Sequence, residues 1–272
     1  MLRHKYLRLL LQNNLSLNQL EYELIDTATQ GMACHFVGMQ LSSTFHPVLL
    51  ADGQLAGREA KLAAYVPGLG NISSEAAFDR AIAEDRLVQF DRLVRTIHLL
   101  NHAHSEAGHQ QLFLNVHPRL LNSVSDHGRT FEKILHYYSV PTTQVVIGIV
   151  ASAVKDGLEN AVQNYRNLGY QIAIDNSGSG TLEKLFHQRP GFDQQGSLDS
   201  LAWFNRVLDL RPDFVKLDDI RTGGLASQLV LKRLIDLLQG VGAKVVLQNL
   251  AAHYPLEEIL AQGLSQAELS LT

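Results

Sequence analysis

The sequence predicts an α/β fold built on a mostly parallel sheet, closed or open, and three observations carry that expectation. Short apolar runs alternate with segments of helical periodicity along most of the chain. Two of those runs, Tyr170 to Asp175 leading into Asn176-Ser177-Gly178-Ser179-Gly180, and Asp213 to Asp218, thread charged residues onto segments that should be buried. The length of 272 residues, with 46% hydrophobic, allows a large core and suits one α/β barrel or two smaller domains. In a barrel the carboxyl ends of parallel strands form the face where chemistry is done, so Asp175, Lys216 and Asp218 would converge there. The alternative is that they only cap strands, as Asp and Asn often do.

Taken in order, residues from about Ser16 to Thr29 set Leu20, Tyr22, Leu24 and Ile25 among polar positions and read as a helix. Strands follow around Thr44 to Leu50 and Gln54 to Tyr65, separated by the turn signal Asp52-Gly53. A long helix from about Ser74 to His102 opens on Ser73-Ser74-Glu75 and carries Phe78, Ile82, Leu87, Phe90, Leu93, Val94 and Ile97 on one stripe. Strands and helices then take turns: strand Leu112 to Val116, helix Thr130 to Tyr138, strand Gln144 to Ile149, helix Gly157 to Asn167, strand Gln171 to Ile174. The rhythm resumes with strand Phe214 to Leu217, helix Ala226 to Gly240, strand Lys244 to Leu247 and helix Leu256 to Gln262. Between them, Thr181 to Ser197 breaks the pattern with Pro190-Gly191, Gly196 and several Gln.

The formal net charge of −4 supplies no broad attraction to nucleic acid or anionic lipid, so no direct nucleic-acid or membrane binding is expected. The lone Cys34 excludes an intramolecular disulfide framework and points to a reducing compartment. The start of the chain has a basic residue or two but only a short, interrupted apolar run, and no segment approaches the ~18 apolar residues of a membrane helix. A cytoplasmic location is the expectation.

Several ordered motifs resemble those of the EAL domain, the family whose active members hydrolyse cyclic di-GMP in bacterial signalling. Phe45-His46-Pro47-Val48 and Gly57-Arg58-Glu59-Ala60-Lys61-Leu62 resemble its Gln-Pro-Ile strand and Glu-Ala-Leu signature, and Phe113-Leu114-Asn115-Val116 looks like the segment supplying a metal-binding Asn. Val145 to Ser152 is similar to the strand reading Glu-x-Thr-Glu-Ser, and Asp175 to Gly180 resembles Asp-Asp-Phe-Gly-Thr-Gly. Lys216-Leu217-Asp218 fits Lys-x-Asp, and Lys244 to Ala251 occupies the place of Ala-Glu-Gly-Val-Glu. The resemblance runs from about Thr44 to Gly263. It implies a modified TIM-like (β/α) barrel with one antiparallel strand over residues 31–272, preceded by a helical extension over 1–30 and carrying an inserted loop at about 181–197.

By the same resemblance, an active site would hold one or two divalent cations on oxygen ligands. Glu59, Asn115 and Asp175 stand where metal ligands would be, with Lys216 and Asp218 beside them; Gly148, Asn176 and Gln248 stand where three carboxylates are expected. Glycine offers no side-chain oxygen, and neutral amides bring a dipole rather than a charge to a hard cation. Ala151 and Ala251 replace two further Glu, Ala63-Ala64 stands for an Arg-Trp pair whose Arg contacts phosphate, and His46 replaces a Gln. The expectation is a pseudoenzyme with no catalytic residues, no bound cofactor and no Mg²⁺ or Mn²⁺ unless the site proves active. It would work through contacts with a regulatory protein or through self-association. The alternatives are a non-hydrolysing cyclic di-GMP receptor and a weak metal-dependent phosphodiesterase.

With metal charge gone, Lys216 and Asp175 are expected to neutralise one another. Leu182, Leu185, Phe186 and Phe192 on the inserted loop are the candidate interaction residues; a disordered excursion is the bland reading. His98, His102, His104 and His109 suggest a zinc site or, more simply, a solvated helix end. Gly178-x-Gly180 lacks a following basic P-loop residue, and Asp126-His127 near Ser123 and Ser125 lacks a nucleophile elbow.

Overall fold

A computed structural model describes residues 22–27, 31–50, 55–123, 128–154, 157–175, 202, 204–218, 236–248 and 266–268. The chain divides into two compact units, the first comprising Met1–His46, Arg58–Leu114 and Asp126–Val145, the second Pro47–Gly57, Asn115–Ser125 and Val146–Thr272.

The first unit begins with β1 (Tyr22–Thr27), β2 (Gly31–Phe36) and β3 (Met39–Leu50, of which residues to His46 belong here), and β1–β2 and β2–β3 pair antiparallel. This corrects the expected helix from Ser16 to Thr29 over its described part: Tyr22 and Leu24 are buried while Glu23 between them is exposed, the period-2 alternation of a half-buried strand. Residues 1–21, the rest of the expected helical extension, lie outside the described residues. Next come β4 (Leu55–Val66), β5 (Gly70–Ile72) and β6 (Gln111–Asn115); β4 pairs with β3, with β6 and, antiparallel, with β5.

The single helix expected from Ser74 to His102 is two, α1 (Ser74–Ala83) and α2 (Leu87–Ala103). Ser73 caps α1 by accepting the Ala76 N–H at 3.1 Å. The break falls at Asp85, whose φ of 55° lies in the left-handed region. Phe36, Phe78 and Phe90 cluster over β2 and the two helices, with Phe78 edge-on to Phe90 at 5.0 Å. Asn101 of α2 clips the start of β2, accepting the Met32 N–H at 2.6 Å and donating to its carbonyl at 2.9 Å. Its amide also explains Gly31, where φ is +73° and a Cβ would fall 2.5 Å from Asn101 Oδ1. Cys34 is fully buried in this layer, and burial pushes its thiol up to about 12, which leaves it unreactive.

The second unit carries β7 (Val145–Val150, all but Val145), β8 (Gln171–Asp175), β9 (Phe214–Asp218), β10 (Lys244–Gln248) and β11 (Gln266–Glu268). From β7 to β11 neighbours follow sequence order; β7–β8, β8–β9, β9–β10 and β10–β11 are all parallel. The Leu49–Leu50 end of β3 runs antiparallel to β11, which supplies the expected antiparallel strand in an otherwise parallel set. The parallel strands read as continuous apolar runs because both faces are covered: Val146, Ile147, Ile149, Ile172, Ala173, Ile174, Val245 and Val246 have no exposure. Asp213 aligns three of them, its carboxylate accepting the Ile172 N–H at 2.8 Å and its carbonyl accepting the Lys244 N–H at 2.8 Å. Helix α3 (Leu158–Asn167) lays Leu158, Ala161, Val162 and Tyr165 against this unit, an i, i+3, i+4, i+7 face. The turn signal at Asp52-Gly53 and the inserted loop with Leu182, Leu185, Phe186 and Phe192 lie outside the described residues. No helix among those described is long and apolar enough to cross a membrane.

Candidate functional site

In the second unit the parallel register sets Asp175, at the carboxyl end of β8, directly opposite Lys216 in the middle of β9. Both side chains are buried, 4% and 0% exposed, and Lys216 Nζ lies 3.5 Å from Asp175 Oδ2. The expected ion pair is therefore present. Its length fits charge neutralisation better than a directed hydrogen bond, for which about 2.7–2.9 Å is usual between an ammonium and a carboxylate. One register position pairs Asp218 with Gln248 at the ends of β9 and β10, so these two backbone positions sit at the same rim as Asp175. Asn176 lies outside the described residues.

Gly148 occupies the middle of β7, at a position where the motif resemblance leads one to expect a Glu. The adjoining backbone bonds to it, Val116 N–H donating to the Gly148 carbonyl at 3.0 Å, and this brings the end of β6 alongside. The carboxamide of Asn115 fills the space beside Gly148: a Cβ there would fall 2.0 Å from Asn115 Oδ1 and 3.1 Å from its Cγ. Asn115 therefore depends on the missing side chain at 148, a pairing of two strands that no local pattern encodes.

In the first unit Glu59 is fully buried on β4. Two residues on, and hence on the same face of the strand, Lys61 places Nζ 2.8 Å from Glu59 Oε1 while its own side chain remains 39% exposed. Sequence reasoning singled out Glu59 and passed over Lys61. The available signal was a charge in the place where the Glu-Ala-Leu signature has Leu.

The histidines separate into distinct environments. His98 is buried with Nδ1 2.7 Å from Ser43 Oγ, His102 donates from Nε2 to the Gln110 carbonyl at 3.0 Å, and His104 donates from Nδ1 to the Leu100 carbonyl at 2.7 Å. Among the described residues no three His, Cys, Asp or Glu side chains group closely enough to hold a metal ion. The solvated helix end expected of this cluster holds for exposed His104 and His109 and is corrected for His98 and His102, which are packed inside. Arg58 covers the far side of this region, its guanidinium 4.6 Å over the Phe45 ring and bonded to Ser105 Oγ, with Phe45 in turn beside His102.

Burial holds His98 down to about 3 and His102 down to about 4, against an ordinary value of 6.5. Both stay neutral in the folded chain where the unfolded chain takes up protons. Stability from these two groups is therefore complete above the ordinary value and is lost as pH falls toward the folded values, at about 1.4 kcal/mol per pH unit for each. The urea midpoint should drop steadily as pH is lowered from 6.5 toward 4, with about two protons taken up on unfolding, and His98→Gln should roughly halve the slope. A midpoint flat across this range contradicts the neutral, buried imidazoles.

A mixed sheet with parallel strands whose carboxyl ends carry acids, with a lysine alongside, defines an α/β protein of barrel type. The EAL domain model matches residues 35–190, more than half of the chain, and the chain belongs to that family. Its fold is similar to that of a standalone EAL protein from Vibrio cholerae O395 in a c-di-GMP-bound form, at 21% identity and a TM-score of 0.64, covering 84% of this chain and 89% of that one. The FimX EAL domain of Pseudomonas aeruginosa bound to c-di-GMP gives 18% identity and 0.65 over 84% and 87% of the two chains. The FimX EAL domain of Xanthomonas citri in complex with c-diGMP gives 19% and 0.64 over 84% and 85%. A comparison with curated protein sequences gives no match. The TIM-like EAL fold expected from the motifs is thus the fold of this chain, with β1 and most of β2 lying ahead of the matched region.

Proposed function

We propose that this chain is a non-hydrolysing EAL module that acts through protein contacts in bacterial signalling. The observation that carries the reading is the Asn115–Gly148 pair. Metal-assisted phosphodiester hydrolysis requires several carboxylate oxygens to gather a hard dication and lower the pKa of its water. Here the position read from the motifs as a carboxylate is Gly148, the Asn115 carboxamide fills the space beside it, and two of the carboxylates that remain, Glu59 and Asp175, each have a lysine ammonium at hand within their own unit. This donor set does not fit a dication, and no catalytic step is derived through one. Asn176 and Gln248 extend the same loss of charge, and Asp218 alone does not offset it.

A second reading, a receptor that binds cyclic di-GMP without cleaving it, rests on the c-di-GMP complexes formed by the similar structures. Calorimetric titration with cyclic di-GMP, with and without Mg²⁺ or Mn²⁺, separates the readings. The expected result is no hydrolysis at high protein and manganese and no heat of nucleotide binding; metal-independent binding selects the receptor. Turnover that disappears on Glu59→Ala overturns both.

Partner docking is assigned to the inserted loop at 181–197, through Leu182, Leu185, Phe186 and Phe192, with a regulatory protein or a second copy of the chain as occupant. Replacing 181–197 by a short Gly-Ser link should leave the fold intact and change the mass by light scattering or the set of co-purifying proteins. If both are unchanged, the loop has no docking role.

A further inference from the structure

We propose that Lys61 is a built-in counter-cation that replaces a divalent ion at Glu59 and closes this carboxylate to metal. The proposal rests on the reading of the chain as a non-hydrolysing EAL module and explains how its signature strand tolerates losing the metal. Glu59 is fully buried, and a buried carboxylate requires a compensating charge or hydrogen bonds. Lys61 supplies the charge from the same strand, two residues away on the same face, with Nζ 2.8 Å from Oε1. The Lys61 side chain is 39% exposed and that of Glu59 0%, so the pair joins a half-exposed lysine to a buried carboxylate. A Mg²⁺ or Mn²⁺ ion on Glu59 would have to bind an oxygen already facing a fixed positive charge, and two cations sharing one carboxylate repel. A tethered ammonium needs no metal supply and offers no water for activation, so the same lysine that compensates the buried carboxylate withdraws Glu59 from chemistry.

The test is Mn²⁺ binding followed by electron paramagnetic resonance, with thermal unfolding measured in EDTA and in Mn²⁺. The unmodified chain and Lys61→Arg should show no saturable Mn²⁺ binding at Glu59. Lys61→Leu should melt lower in EDTA, regain that loss in Mn²⁺, and bind Mn²⁺ at least about tenfold more tightly; Glu59→Gln in the Lys61→Leu background should abolish the gain and restore the melting point in EDTA. Equal Mn²⁺ affinity in Lys61→Leu and the unmodified chain overturns the proposal. If Lys61→Leu does not fold, recovery of folding by the added Glu59→Gln supports the counter-cation role, and failure to recover shows that Lys61 serves packing instead and overturns it. Hydrolysis of cyclic di-GMP by the unmodified chain refutes the functional reading by a separate assay, independent of how Lys61→Leu binds Mn²⁺.

Discussion

Gly148→Glu, which sets at 148 the residue expected from the motif resemblance, should destabilise the chain severely and create no metal site. A Cβ at 148 falls 2.0 Å from Asn115 Oδ1, so even alanine must evict the carboxamide. Alanine leaves the backbone in place, since the Asn115 Cα is 3.5 Å away, and should cost about 1–3 kcal/mol as an overpacking substitution. Glutamate adds a methylene and a charged carboxylate beyond the alanine Cβ, in a strand whose neighbours Ile147 and Ile149 have no exposure. A carboxylate forced into such surroundings brings the loss for Gly148→Glu to about 4 kcal/mol or more. The measurement is urea unfolding of Gly148→Ala, Gly148→Glu and the pair Asn115→Ala/Gly148→Ala. The double variant should recover most of the alanine penalty, because it removes the group that collides. A Gly148→Glu chain as stable as the original would show that the space beside β7 is open and would remove the observation on which the functional reading stands.

The parallel part of the fold was legible because its strands are short apolar runs flanked by glycine, proline or acidic residues. Asp213, Asp175 and Gly157 mark strand and helix ends that the structure places within a residue of the expected positions. The beginning of the chain was not legible in the same way. Leu20, Tyr22, Leu24 and Ile25 satisfy a helical spacing as well as an alternating one, and the choice is made by pairing: Tyr22 to Thr27 bond along Gly31 to Phe36, a long-range term absent from local periodicity. The break between α1 and α2 escaped for a related reason. Glu84-Asp85-Arg86 contains neither glycine nor proline, and the turn is made by an aspartate in the left-handed region, which Asp tolerates better than most residues.

For the candidate site, the sequence marks Gly148, Asn176 and Gln248 as departures from the motifs it resembles. It did not reveal what the surviving groups do. That Asn115 packs into the gap at Gly148 depends on two positions more than thirty residues apart on different strands, and that Lys61 reaches Glu59 depends on the rotamer of a half-exposed side chain. The Asp175–Lys216 pair lies between these cases. It followed from charge balance once the two strands were set side by side, and the register confirms the adjacency.

Lys216→Met should be the most damaging single change among the charged residues of the second unit. Lys216 is fully buried in β9, and its ammonium lies 3.5 Å from a carboxylate that is itself 4% exposed. Methionine keeps the length and apolar volume of the lysine stem, so the substitution removes charge with little loss of packing. What remains is Asp175 with its nearest cation gone. Breaking a buried pair from one side typically costs about 3–5 kcal/mol because the surviving charge is left in a low-dielectric site, whereas replacing both members by neutral groups is often close to neutral. Lys216→Met should therefore lower the urea midpoint strongly with an unchanged m value, and its melting temperature should fall on the order of 10 °C for a chain of this size. Adding Asp175→Asn should return at least half of the loss, because the amide can keep an acceptor in place without the charge. The sign of that recovery is the decisive observation: a double variant less stable than Lys216→Met would mean that Asp175 stabilises the strand ends through hydrogen bonds independent of Lys216, and the neutralised pair would no longer account for how a carboxylate is kept at the end of β8.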